Sequence, residues 1–177
     1  DNDTLRSLID NYKKIIEFGN NPEYYCRGEL SNKTSYYAEI KWSCKKESGF
    51  AKSNLIGEYN YENILAAICI GNYFELPSPA IDKAISSYFP GNNRSQMLEG
   101  TRNRIILDLY NANPTSMLAA LNNFISLKDN NKCLILGDML ELGSISDKAH
   151  KELLVFLTKQ NFKDIYLVGE IFFKYKN

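Results

Sequence analysis

An acid stands at the end of an apolar strand in the segment ILDLYNANPTSM, residues 106–117. Asp108 is followed by a polar turn with Asn111 and Asn113, and then by a helix start that contains Ser116. Ligands of open α/β sheets bind outside the carboxyl ends of the strands, so Asp108 is a candidate contact to the hydroxyl groups of a ribose. The structural alternative is that these side chains only cap the local backbone. Spacing alone leaves both interpretations open.

Two other polar clusters carry residue types that bind nucleotides. Arg94 lies in the loop NNRSQ, residues 92–96, and a guanidinium binds phosphate through its planar fork. Asn60 and Asn63 stand three positions apart at the start of a helix, which puts both on one face. Their amides can donate and accept at once, which suits the edge of an adenine. A solvated Arg94 and helix capping by Asn60 are the structural alternatives.

The loop LGDMLELG, residues 136–143, adds two acids at the sheet edge where Asp108 is predicted. Asp138 begins this loop and His150 follows on the next helix, so both are candidates for a substrate or metal surface. The alternative for His150 is a hydrogen-bonded structural histidine. The chain has no CxxC pair and only one His, so a zinc site of the Cys/His kind is not expected.

The composition excludes several classes of partner. Lys+Arg and Asp+Glu both number 21 in 177 residues, so the net charge gives no case for a nucleic-acid or membrane partner. No apolar stretch approaches the ~20 residues of a membrane span, and no signal peptide is visible. The four cysteines are widely spaced, which is typical of a reducing cytoplasm, and Cys69 and Cys133 are predicted to be buried.

The first part of the chain mixes helical and strand patterns. Apolar periodicity predicts a helix over residues 4–18, with Asp3 as its cap, and a second helix over residues 61–74. Strands are predicted near residues 24–27 and over residues 35–43, and the polar stretch 45–54 is predicted as a loop or hairpin connection. A boundary falls after Leu76, and a helix capped by Ser78 follows to about Tyr88.

From Arg104 the chain alternates regularly between strands and helices. Apolar strands are predicted over residues 104–109, 132–137 and 164–168, and helices over residues 115–127 and 146–160. Nearly continuous apolar strands of this kind are typical of a parallel sheet that is covered on both sides. The predicted fold class is therefore α/β, with a Rossmann-like, mostly parallel sheet and helices on both faces.

Four motifs, taken together and in this order, resemble the Mur ligases of bacterial cell-wall synthesis. They are GEYNYENILAAICIG, YFPGNNRSQ, ILDLYNANPTSM and LGDMLELGSISDKAH, which begin at residues 57, 88, 106 and 136. The resemblance is strong over residues 55–169 and loose before them. It implies that residues 1–76 are the end of a central P-loop ATPase domain and that residues 77–177 are a truncated Rossmann-like C-terminal ligase domain.

The resemblance also implies roles for particular residues. Asn60, Asn63, Arg94 and Asp108 match family residues that contact ATP, and closure of the C-terminal domain would bring the last two to the nucleotide. Candidate substrate or closure contacts are Asn111, Asn113, Ser116, Asp138 and His150. The chain departs from the family pattern at Tyr59, where many relatives carry His, and at Leu109, where Ser or Ala is common.

The implied reaction is ATP-dependent amide formation through an acyl phosphate, with Mg²⁺ as a cofactor. The motifs imply the substrates UDP-N-acetylmuramoyl-tripeptide and D-alanyl-D-alanine, a cytoplasmic location and a monomer. No GxxxxGK[ST] phosphate loop occurs in the chain, so that loop and the metal ligands are expected upstream of Asp1, and the chain alone is expected to be inactive.

Two other interpretations remain at this point. One is a Rossmann-like binding module without catalysis. The other is a sibling ligase that adds a single amino acid, against which the turn YNANP argues, because it replaces a DYAH-like turn.

Overall fold

The computed structural model describes residues 9, 12, 14–31, 35–45, 47–91, 93–129 and 131–176. The chain divides into two compact units, Asp1–Gly91 and Asn92–Asn177. None of the helices within the described residues is long and apolar enough to cross a membrane.

The first unit is built on a four-stranded sheet. Its strands are β1 (Phe18–Gly19), β2 (Cys26–Leu30), β3 (Tyr37–Cys44) and β4 (Glu47–Ile56), and they lie side by side in that order. The first pair is parallel and the other two pairs are antiparallel. Side chains alternate along β3, with Ala38, Ile40 and Trp42 buried, because successive residues of a strand point to opposite faces.

Helices cover the apolar face of this sheet. A short 3₁₀ helix, Glu58–Asn60, leads into α1 (Tyr61–Tyr73), and α2 (Ser78–Ser87) follows. Helix α1 buries residues at helical spacing, and these pack with the inward side chains of the sheet. The buried members contributed by α1 are Ile64, Leu65, Ile68 and Cys69. The helix predicted over residues 61–74 is therefore confirmed, as is the burial of Cys69.

Helix α2 is fastened to β3 and β4 through Asp82. Its carboxylate accepts hydrogen bonds from Trp42 Nε1 at 2.7 Å and from the backbone N–H of Phe50 at 3.2 Å. A Cβ at Gly49 would lie 2.6 Å from the Trp42 ring, so only glycine allows this close approach. The sequence places a boundary after Leu76, whereas the structure keeps α2 with the first unit. Ser78 is the first helical residue and Pro77 is the cap, so the predicted capping by Ser78 is wrong.

Two predictions for the first unit differ from the structure. The predicted loop over residues 45–54 is mostly strand β4. The predicted helix over residues 4–18 and its cap Asp3 lie mostly outside the described residues, but residues 14–17 are not helical and residue 18 begins β1.

Two of the four cysteines are paired. Cys26 and Cys44 lie opposite each other on β2 and β3 and form a disulfide in the core of the first unit. The pairing arises because the antiparallel register brings distant positions together. The wide spacing of the four cysteines predicts reduced thiols, and this prediction is wrong for Cys26 and Cys44.

The second unit begins with a hairpin and continues with alternating elements. The hairpin joins β5 (Gln96–Glu99) to β6 (Arg104–Leu107) in an antiparallel pair. Helix α3 (Pro114–Ser126), strand β7 (Cys133–Gly137) and a 3₁₀ helix (Gly143–Ile145) come next. They are followed by α4 (Ser146–Leu157), β8 (Asp164–Val168) and the short α5 (Glu170–Phe173). Strands β7 and β8 pair in parallel, as the sequence predicts.

The core of the second unit lies on one side of β7. Leu134 and Leu136 point into it and pack with α3, α4 and α5. The remaining buried members are Leu121, Met139, Ala149, Leu153, Leu157 and Phe172. On the opposite side of β7, Cys133 and Ile135 are exposed, so the burial predicted for Cys133 is wrong. The α/β class is confirmed. Within the described residues, however, helices cover one face of β7, all five residues of β8 are exposed, and β6 pairs only with β5.

Candidate nucleotide-binding site

The hydrogen bonding of the β5–β6 hairpin extends beyond its ladder at one end. The last ladder pair is Gln96 with Leu107. The N–H of Ser95 then donates to Oδ1 of Asp108 at 3.3 Å, and the N–H of Leu109 donates to the Asn93 carbonyl at 2.7 Å. These two bonds hold the loop before β5 against the segment after β6. The residues before and after Arg94 are thus bonded to Leu109 and Asp108, and the structure holds Arg94 close to the candidate ribose contact.

Arg94 lies between two residues with left-handed backbone conformations. The φ angle is 57° at Asn93 and 49° at Ser95, values that non-glycine residues rarely adopt. Strain of this kind persists only where surrounding contacts hold it, and it concentrates at functional sites. Here the two bonds to Asp108 and Leu109 hold it.

The Arg94 side chain stacks on an aromatic ring. Its Cζ atom lies 3.4 Å from the centroid of the Tyr110 ring, well inside the ~6 Å range of a cation–π contact. Sequence reasoning missed Tyr110. The signal that was available is an aromatic residue two positions after the candidate acid, since alternate residues of an extended segment point to the same side.

The environment of the Asp108 carboxylate pulls its pKa in two directions. Partial burial raises the pKa above the ordinary value of an aspartate, and this effect prevails. The hydrogen bond from Ser95 and the positive charge of Arg94 both act to lower it. The residue still exposes surface to solvent. A carboxylate with lone pairs beside a stacked guanidinium offers one acceptor and one cation to the same ligand.

The asparagine-rich turn after Asp108 forms a capped helix start. Asn113 caps α3: its Oδ1 accepts a hydrogen bond from the N–H of Ser116 at 2.9 Å, and Ser116 Oγ accepts one from the N–H of Asn113 at 3.2 Å. This reciprocal arrangement is a capping box. Oδ1 of Asn111 accepts a hydrogen bond from the next backbone N–H, that of Ala112, at 2.8 Å. The capping interpretation of these side chains is thus satisfied within the protein.

Asp138 and His150 lie close to each other in the second unit, but their bonds are internal. The two carboxylate oxygens of Asp138 accept hydrogen bonds from the N–H groups of Ile171 and Phe172, both at 2.9 Å, and so cap α5. His150 is fully buried, and its Nε2 lies 3.8 Å from Oδ1 of Asp138.

Both ring nitrogens of His150 have backbone partners. Nδ1 lies 2.8 Å from the carbonyl of Ser146, which can only accept, so this nitrogen carries the proton. Nε2 accepts a hydrogen bond from the N–H of Met139 at 3.1 Å. A neutral imidazole with both nitrogens bound in this way favours the structural interpretation of His150 over direct substrate contact.

Asn60 and Asn63 lie together in the first unit. Asn60 is buried and its Nδ2 donates to the carbonyl of Ile56 at 2.8 Å, while its Oδ1 accepts from Nδ2 of Asn63 at 3.2 Å. The side chain of Asn60 makes no capping bond to α1, so the capping interpretation is wrong. Asn63 is exposed and is held by its buried neighbour. Both amides do share one face of the helix, as their spacing predicts.

The described residues do not form a metal site. Nowhere in the parts of the chain that the structure describes do three His, Cys, Asp or Glu side chains cluster as metal ligands would. These residues do not fit a bound Mg²⁺.

The chain is similar to known proteins of the Mur ligase family. The model for the Mur ligase, glutamate ligase domain matches residues 93–174. The UDP-N-acetylmuramoyl-tripeptide--D-alanyl-D-alanine ligase of Bacillus subtilis is 34% identical over 119 residues, which is 66% of this chain and 26% of that protein. The chain thus spans about a quarter of the length of this curated relative.

Solved structures show the same similarity. A crystal structure of MurF from Acinetobacter baumannii matches with a TM-score of 0.77 and 25% identity, over 89% of this chain and 34% of that one. The MurF ligase of Thermotoga maritima in complex with ADP matches in fold, with a TM-score of 0.76 and 20% identity over 94% of this chain and 38% of that one. Together with the family match, these similarities show that the chain belongs to the Mur ligase family.

Proposed function

We propose that this chain is part of an ATP-dependent ligase that joins D-alanyl-D-alanine to UDP-N-acetylmuramoyl-tripeptide through an amide bond. The observation that carries the proposal is the loop in which Arg94 and Asp108 are held together, in a segment similar to ligases of that name. The first unit would be the end of the central ATP-binding domain and the second unit the C-terminal ligase domain.

In this proposal Arg94 binds the phosphate groups of ATP. A guanidinium presents five N–H donors in a rigid fork, and stacking on Tyr110 occupies its face rather than its donor edge. Asp108 accepts hydrogen bonds from the ribose hydroxyls, because its carboxylate has acceptor capacity beyond the one bond from Ser95. Both groups lie in one loop system, so they can serve one ligand.

Asn60 and Asn63 contact the nucleotide as a pair in this proposal. The buried amide of Asn60 is fixed by the Ile56 carbonyl, and it orients the exposed amide of Asn63. An amide oriented in advance loses little freedom when it binds the edge of a base.

ATP would transfer its γ-phosphoryl group to the tripeptide carboxylate, which forms an acyl phosphate and releases ADP. The amine of D-alanyl-D-alanine would then attack the acyl carbon, lose a proton and displace phosphate, which forms the amide. Positive side chains such as Arg94 offset the charge on the transferring phosphoryl group. Mg²⁺ would be held by residues outside those described. We further propose a cytoplasmic monomer that needs neither nucleic acid nor a membrane.

The remaining candidates have weaker support. Asn111, Asn113 and Ser116 lie on the turn that follows Asp108, so they are proposed to contact substrate or to support closure from there. Asp138 and His150 would act only indirectly, by fixing the loop between β7 and α4.

The test is an acceptor-dependent assay of the complete enzyme. Phosphate release is measured with ATP and three pairs of substrates: UDP-N-acetylmuramoyl-tripeptide with D-alanyl-D-alanine, UDP-N-acetylmuramate with L-alanine, and UDP-N-acetylmuramoylalanine with D-glutamate. Release that requires D-alanyl-D-alanine supports the proposal. Release with a single amino acid would identify a sibling ligase instead, and no release with any acceptor would identify a non-catalytic binding module.

A further inference from the structure

The contact between Arg94 and Tyr110 joins two of the family motifs, YFPGNNRSQ and ILDLYNANPTSM. The guanidinium carbon lies 3.4 Å from the ring centroid, although both residues are largely exposed. Exposed arginines normally sample many rotamers. A guanidinium held at this distance over a ring is confined to a small part of that range.

The backbone fixes the relative position of the two residues. Arg94 stands between the left-handed residues Asn93 and Ser95, and Tyr110 directly follows Leu109. The bond from the Leu109 N–H to the Asn93 carbonyl, at 2.7 Å, ties the two segments together next to the stacked pair. The backbone therefore places Arg94 and Tyr110 within stacking distance of each other.

We infer that Tyr110 is a positioning residue, whose ring holds the Arg94 guanidinium ready for the phosphate groups of the nucleotide. This inference rests on the proposed function of Arg94. A ring beneath the guanidinium restricts the arginine before ligand arrives, so less freedom is lost on binding. The donor edge stays available, since a cation–π contact uses the face of the ring and leaves the N–H groups in plane.

The aromatic ring of Tyr110 should determine the KM for ATP, and its hydroxyl group should not. The ring is needed and the hydroxyl is not, so Tyr110→Phe should behave like the wild type. Tyr110→Leu and Tyr110→Gln remove the ring, and they should raise the KM for ATP about fivefold, the size expected of an exposed cation–π contact. The KM for D-alanyl-D-alanine should stay within about twofold, because the ring acts only through Arg94.

A double-mutant cycle in the full-length ligase separates positioning from direct contact. The variants are Arg94→Ala, Tyr110→Leu and the double variant, with the KM for ATP as the measurement. If Tyr110 acts through Arg94, the double variant is no worse than Arg94→Ala alone. Phe173→Leu is the matched control, because Phe173 is an exposed ring under Lys176 at 4.0 Å on α5, away from this loop.

Each outcome bears on one claim. Additive effects of the two single changes would overturn the inference, as would an unchanged KM for ATP in Tyr110→Leu when Arg94→Ala raises it. An Arg94→Ala variant with normal KM for ATP would instead overturn the proposed role of Arg94 itself. If Tyr110→Leu lowers the melting temperature, the KM for D-alanyl-D-alanine decides, since lost folding would affect the use of both substrates whereas the positioning of Arg94 affects ATP alone.

Discussion

Asp138 occupies the space that a side chain at Gly169 would need. A Cβ at Gly169 would lie 2.2 Å from Oδ2 of Asp138, and the backbone there has a φ of 129°, which L side chains rarely adopt. The same carboxylate accepts the N–H groups of Ile171 and Phe172. The carboxylate of Asp138 therefore joins the end of β7 to the start of α5, and this arrangement requires a glycine at position 169.

Gly169→Ala should destabilise the second unit by about 2–4 kcal/mol, because both the backbone conformation and the carboxylate oppose a methyl group. Urea unfolding of the full-length enzyme, followed by far-UV circular dichroism, would measure this. Gly137→Ala is the matched control, since a Cβ at Gly137 meets nothing within 4 Å. Equal stability of the two variants would contradict the packing described for Gly169.

His150→Phe should cost about 1–3 kcal/mol of stability, because it leaves the buried Met139 N–H without its partner. We expect kcat and KM, measured well below the melting temperature, to stay within about twofold of the wild type. Lys148→Ala on the exposed side of α4 is the control. A variant with normal stability and lost activity would assign His150 to substrate contact instead.

Arg94→Ala and Asp108→Ala should each lower kcat/KM for ATP by about 10- to 100-fold in the full-length enzyme, the range expected for hydrogen bonds to charged groups. Steady-state kinetics with ATP as the varied substrate would show this. Arg102→Ala removes an exposed arginine from the turn of the same hairpin and should change nothing. Normal kinetics in both alanine variants would remove these residues from the nucleotide site.

Asp108→Asn should make the second unit more stable at neutral pH while weakening nucleotide binding. Burial raises the pKa of Asp108, so the ionised form is disfavoured in the folded chain relative to the unfolded chain. Wild-type stability therefore falls as pH rises from the unfolded-state pKa through the raised folded-state pKa. An asparagine does not ionise, and its oxygen can still accept the bond from Ser95.

The measurement for Asp108→Asn is the melting temperature across pH. The advantage of the variant over the wild type should be present at pH 7 and should disappear below about pH 4, where the wild-type carboxyl is also neutral. A wild type that is more stable than the variant at pH 7 would contradict the cause given for the raised pKa.

The isolated chain should show no ATP hydrolysis and no ligation, because its 177 residues contain no phosphate loop. Phosphate release at high protein concentration, with all three substrates present, would test this. Phosphate release above that of a sample without protein would contradict this expectation, because residues other than a phosphate loop would then have to bind the phosphate groups of ATP.

Strongly patterned elements were predictable from the sequence. The bounds of helix α1 and of strands β7 and β8 agree closely with those predicted, because a helical period or a run of apolar residues is a strong signal of secondary structure even where, as in β8, the residues are exposed. Strand β4 was not found. Its inward residues Ala51 and Ser53 are small, so the strand lacks the apolar alternation that usually reveals one.

The candidate site was only partly predictable, because part of it depends on backbone conformation. Arg94 and Asp108 carry charges that suggest ligands, and the family motifs support them. Tyr110 carries no charge, and its contact with Arg94 depends on two left-handed residues and on backbone bonds between distant segments. Sequence spacing does not report backbone conformations of this kind.

The bond between Trp42 and Asp82 supplies a built-in optical probe. Trp42 is the single tryptophan of the chain, it is buried, and it reports on the first unit alone. Its fluorescence should follow the loss of α2 from the sheet, whereas substitutions at Gly169 or His150 should leave that signal where it is. The melting of the first unit can therefore be followed on its own, without any added label.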